Sequence, residues 1–105
     1  MGKLLPMIST ADLGKLAVIR WVDAKEIGVG WHDQEEIDSN GCVWIISVGW
    51  VTGLTVLEVK ISADIAVDPG DDEVGRSQAI PINCVASVNF LGEKKDYNRH
   101  EYNKS

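Results

Sequence analysis

Between Cys42 and Val51 the chain reads CVWIISVGWV, and alternate positions sort it into two apolar sets. Cys42, Trp44, Ile46, Val48 and Trp50 share one face of an extended chain, and Val43, Ile45, Ser47, Gly49 and Val51 share the other. Period two with both faces largely apolar predicts a strand that is covered, over part of its length, on both sides. Gly49 between bulky neighbours predicts a bulge or sharp bend. Gly53 and Leu54 then predict a tight turn into TVLEVKISADIAVD. There Leu57, Val59 and Ile61 point inward while Glu58, Lys60 and Ser62 point to water, as in a half-exposed antiparallel strand.

Upstream, LAVIRWVDA from Leu16 is dense in β-branched and aromatic residues and predicts another strand. It runs into KEIGVGWHDQEEIDSNG, a connection with three glycines and an acidic end. A connection of that length in a small domain is usually an ordered or functional excursion. Downstream, PGDDEVGRSQ reads as a loop, from its Pro-Gly pair, acidic run and Gly75. AIPINCVASVNFL follows, with Pro81 interrupting any continuous central strand. Before the first strand, Ser9 or Thr10 is placed to cap one helical turn that Gly14 ends, and Met7 reads as a second start. After Gly92, EKKDYNRHEYNKS is polar and of mixed charge, a frayed tail or an extension ordered by a partner. The chain thus divides into a lead-in (1–14), a β domain (15–92) and a tail (93–105).

In order, these elements are strand, long loop, strand, short turn, strand, acidic loop, short strand, Ile-Pro turn and last strand. That order resembles an SH3-like small barrel. Ile80, Pro81, Asn83 and Val85 match the SH3 pattern in which a one-turn 3₁₀ helix drops the chain into its final strand, with Cys84 in the place of an aromatic residue. The resemblance implies an all-β, five-stranded SH3-like barrel. It does not extend to that family's peptide-binding aromatics, because the Ala-Leu-Tyr-Asp-Tyr start and the tandem tryptophans have no counterpart here. The wider pattern, IRWVDAKEIGVGWHD, then CVWIISVGWVTGLTVLEVKISAD, then AIPINCVASVNFL, is similar to small proteins of tailed phages and prophages of unassigned function. That likeness implies a phage accessory protein acting in the host cytoplasm.

Composition narrows the classes. The chain has 105 residues, 45% of them apolar and 25% charged, which suits one globular domain and not a disordered chain. Its formal net charge is -6, with ten scattered lysines and arginines, a poor basis for nucleic-acid binding. No stretch approaches the ~20 apolar residues of a membrane-spanning helix. MGKLLPMIST is too short and interrupted for a secretory signal. Two cysteines without a CxxC pair point to a reducing, cytoplasmic setting.

Candidate chemistry is sparse. Cys84 as a nucleophile needs a base, and the histidines are His32 in the long loop and His100 in the tail. Cys84 and Cys42 read instead as small buried packing residues. Asp68, Asp71, Asp72 and Glu73 lack the ligand spacing of a calcium loop, so no metal and no cofactor is expected. With Asp33, Glu35, Glu36 and Asp38 they read as a one-sign surface. Four tryptophans stand out. They are core residues, or Trp31 with Trp21 or Trp50 lines a groove that stacks a base or holds a peptide, Gly28 and Gly30 letting the loop close over it.

Three functions are therefore weighed. The first is a non-enzymatic interaction module that engages a protein partner or assembles as a homo-oligomer, with Asp33, Glu35, Glu36, Asp71, Asp72 and Glu73 as interaction residues. The second sequesters a small nucleotide signal of host defence, with Trp31, Trp21, Trp50, Arg20 and Arg76 as ligand-binding residues, aided by Lys25 and Lys60. The third, an enzyme, ranks last because no pair of groups at motif spacing suggests acid–base or nucleophilic work.

Overall fold

The strand read from LAVIRWVDA is β1 (Leu16–Asp23), and it pairs antiparallel with β2 (Val43–Leu54), Leu16 opposite Trp50 and Asp23 opposite Val43. The computed structural model describes residues 7–92, so the expected polar tail at 93–105 and the first residues of the lead-in lie outside the described residues. Between these strands stands a six-residue helix, α1 (Gln34–Ser39). Then come β3 (Glu58–Ile65), β4 (Val74–Pro81), a 3₁₀ turn at Ile82–Cys84 and β5 (Val85–Phe90). The chain is all-β in class: one antiparallel sheet in the order β4-β3-β2-β1-β5, with little helix.

The order of strands and turns read from the sequence is the one found, including the 3₁₀ turn after Pro81. Closure differs from the expected barrel. Strands β4 and β5 are the two edges of the sheet, and no ladder joins them among the described residues. The turn links the two edges, Pro81 ending β4 opposite Glu58 and Val85 beginning β5 opposite Trp21. Beyond it β5 runs for six residues, while Arg76, Ser77 and Gln78 of β4 are polar and exposed. A sheet bent over one core, open along that seam, is the result.

One cluster forms that core: Ile8, Ala17, Ile19, Trp21, Val51, Val59, Ile61, Ile80, Ile82 and Val85, with Cys84, Val88 and Phe90 packed against it. All five strands contribute, and burial of these side chains is the main favourable term for folding. The segment after Pro81 works as read: the backbone N–H of Val85 donates to the Ile82 carbonyl, and Cys84 is half-buried against the core. Cys42, by contrast, is exposed just before β2, which corrects its reading as a buried residue.

The bends depart from expectation in an instructive way. The bulge lies between Val51 and Gly53, not at Gly49, and the turn is Thr55–Leu57, not Gly53–Leu54. Thr55 makes that turn by accepting the N–H groups of Leu57 and Glu58 at its hydroxyl, so Leu57 is left exposed. Gly49 serves close approach instead: a Cβ there would lie 3.0 Å from the Ser62 carbonyl oxygen. Ser62, expected to face water, is fully buried between the hydroxyls of Thr52 at 2.8 Å and Ser77 at 2.7 Å. A buried hydroxyl with partners on both neighbouring strands escapes the cost of an unmade hydrogen bond.

The lead-in forms the expected turn. Ser9 caps a 3₁₀ turn at Thr10–Asp12, and Asp12 reaches back to the Ser9 N–H at 2.9 Å, a reciprocal capping box. Lys15 holds Asp12 at 2.7 Å, and Ile8 is buried in the core. Burial alone would raise the Asp12 carboxyl, but the Lys15 and Ser9 hydrogen bonds and the Lys15 charge outweigh it and hold it below its ordinary value.

Candidate functional site

β2 has one covered face and one open face. Ile45, Ser47, Gly49 and Val51 lie on the covered face, where the Trp21 indole N–H donates to the Ser47 hydroxyl at 3.0 Å. Trp21 is thereby a core residue. On the open face Trp44 is 54% exposed, Ile46 67% and Val48 52%. The register sets Val22 beside Trp44, Arg20 beside Ile46, Val18 beside Val48 and Leu16 beside Trp50, so the apolar surface continues onto β1. The β1 apolar residues, Val22, Val18 and Leu16, and Trp50 are half-buried, so exposure is greatest over Trp44, Ile46 and Val48. A contiguous exposed apolar patch of this kind marks an interaction site more often than a scattered set of surface residues does.

One charge stands in it. The Arg20 guanidinium lies over the Trp44 ring, 4.1 Å from its centroid, and has no carboxylate at ion-pair distance among the described residues. A stacked guanidinium keeps its donors in the fork geometry that suits an incoming carboxylate.

The long connection is an arm. No residue from 23 to 42 is buried. It is braced by polar bonds among its own residues instead. The Lys25 ammonium donates to Asn40 at 3.2 Å, and the His32 ring contacts the Gly28 carbonyl and the Glu36 carboxylate, each at 3.3 Å. Asp33 and Glu36 form a capping box that starts α1. Gly28 and Gly30 have φ of +119° and +97°, a backbone that side chains disfavour, so their use is to turn the chain. Val29 and Trp31, at the end of that turn, are fully exposed. The helix itself was not read from the sequence, although Asp33-x-x-Glu36 is a capping signature.

The two acidic connections leave the sheet in the same direction. Asp23 pairs with Val43, so β1 ends where β2 begins; Trp50 pairs with Ser62, so β3 also runs toward that end. The arm, with Asp33, Glu35 and Glu36, and the β3–β4 connection, with Asp71, Asp72 and Glu73, both leave from there. At the other end, Ile8, Leu54, Val56 and Ile82 help line an apolar crevice of about 310 Å³.

The expected ligand set is not assembled into one pocket. Trp21 is in the core, Trp31 is on the arm, and Trp50 and Arg20 are on the open face. Arg76 of β4 is held by Asp64 through two bonds of 2.6 and 2.9 Å. That bonding holds Asp64 below its ordinary pKa and raises Arg76. Neither thiol shares a hydrogen bond with His32, and no group of three or more His, Cys, Asp and Glu is placed to hold a metal, both among the described residues. No helix among them is long and apolar enough to cross a membrane.

No family model matches the chain, and no curated protein and no solved structure matches it. Fold class and surface are therefore the grounds on which function is argued.

Proposed function

We propose that this chain is a non-enzymatic interaction module whose binding surface is the open face of β1 and β2 together with the arm. The carrying observation is that the best strand of the sheet leaves Trp44, Ile46 and Val48 more than half exposed while its other face is in the core. Large aromatic and aliphatic groups in such a cluster, with an arginine among them, have the composition of an interface hot spot. The acidic connections supply the polar rim and the charge that steers a partner. The likeness to tailed-phage proteins suggests a phage accessory role in the host cytoplasm, which the neighbouring genes would test.

Sequestration of a nucleotide signal has less support. Its basic groups are apart, Arg76 is already paired, and the crevice at the far end is lined by apolar and hydroxyl residues with no cation among them.

Hydroxyl-radical footprinting tests the reading. Trp31 and Trp44 are expected to lose reactivity when the protein is concentrated or placed in host extract, while Trp21 stays unreactive throughout. Equal labelling of Trp31 and Trp44 in every condition overturns it.

A further inference from the structure

Two exposed apolar features occupy different parts of the fold. One is the open face around Trp44, Ile46 and Val48, which carries Arg20. The other is the arm, whose Val29 and Trp31 stand fully in water beside an acidic helix. Each copy thus holds a socket with one unpaired cation and a knob flanked by carboxylates. Glu35 has no partner among the described residues, and Asp33 precedes it at the helix cap.

We propose that the occupant of the open face is the arm of a second copy of this chain, joined head-to-tail. Trp31 and Val29 of one protomer pack on Trp44, Ile46 and Val48 of the next, and Arg20 meets the carboxylates of the arriving α1. This inference rests on the interaction reading and names the partner of that surface.

Charge and the groups covered both favour this arrangement over a face-to-face pair. Packing two open faces together brings two Arg20 guanidiniums into one apolar interface and leaves both copies of Trp31 in water. Head-to-tail contact covers both features and pairs the cation. Every protomer in a closed ring makes two such contacts, one by its arm and one by its face. A heterologous contact that repeats in this way closes into a ring or extends as a filament.

The test uses two variants of the whole chain, each broken on one side only. Trp31→Ala loses the knob and keeps the socket; Ile46→Asp loses the socket and keeps the knob. If Ile46→Asp fails to fold by circular dichroism, Ile46→Thr takes its place, since threonine suits a strand. Mass by light scattering and sedimentation is expected to show the wild type assembled beyond a monomer. Each variant alone should associate at least ~30-fold more weakly, the loss typical of a hot-spot truncation. Mixed together, they should form a one-to-one dimer that grows no further, because one good knob and one good socket remain. A wild type monomeric at every concentration overturns the proposal, as does a mixture that stays monomeric. Assembly lost in Ile46→Asp but retained in Trp31→Ala also overturns it, in favour of a face-to-face pair, and leaves the interaction reading standing. A monomer whose footprint never changes sinks both.

Discussion

Arg20 and Trp44 sit on neighbouring strands of the open face with the guanidinium 4.1 Å from the ring centroid, a diagonal pair two residues off direct register. The stack orders the cation over a tryptophan that stays more than half exposed. An exposed cation–π pair is worth about 0.5–1 kcal/mol. Arg20→Ala is expected to cost that much in urea unfolding and to raise the quenching of Trp44 fluorescence by acrylamide. Lysine at this position should keep the charge and lose most of the stacking.

Gly49 is expected to tolerate no side chain. Its Cβ would meet the Ser62 carbonyl oxygen at 3.0 Å and the Ile61 Cβ at 3.2 Å, where β3 lies close against β2. Backbone cannot give way as a flexible side chain would. Gly49→Ala should therefore destabilise the fold by about 1–3 kcal/mol, read as a shift of the denaturation midpoint.

Asp12 gives the lead-in turn an acid-sensitive contribution. Its carboxyl lies below the ordinary 3.8 in the folded state, so the ionised form favours folding. That stabilisation is complete above the unfolded pKa and is lost as pH falls through the lowered folded value. The stability gap between wild type and Asp12→Asn should be constant near neutrality and narrow below pH 3.8. Ser9→Ala, which removes the other half of the capping box, should cost about 1 kcal/mol at neutral pH.

Trp31 and Ile19 should behave as opposites. Ile19 is wholly buried, and Ile19→Ala is expected to lose about 2–5 kcal/mol through lost burial and the cavity left behind. Trp31 touches no core, and Trp31→Ala should move stability of the dilute monomer by less than about 0.5 kcal/mol. Thermal unfolding of both variants below the assembly concentration checks the contrast.

Strand positions were legible where one pattern dominated. LAVIRWVDA announced β1, and Ile80-Pro81 announced the 3₁₀ turn that leads into β5. In CVWIISVGWV the alternation showed a strand but not which face would be covered, because both faces carry apolar residues. That choice is made by β3, β4 and β5 folding over Ile45 and Val51, contacts distant in sequence. Ser62 was misjudged for a related reason: a hydroxyl is read as facing water until Thr52 and Ser77 are seen on either side of it. The arm's helix is too short for an apolar period, so only its capping residues betray it.

The arm's bracing by Lys25, Asn40, His32 and the Asp33–Glu36 cap has an evolutionary reading. Because none of its residues enters the core, substitutions there leave untouched the packing that Ile19 and Val59 supply. As far as folding is concerned, the arm and the sheet can vary separately.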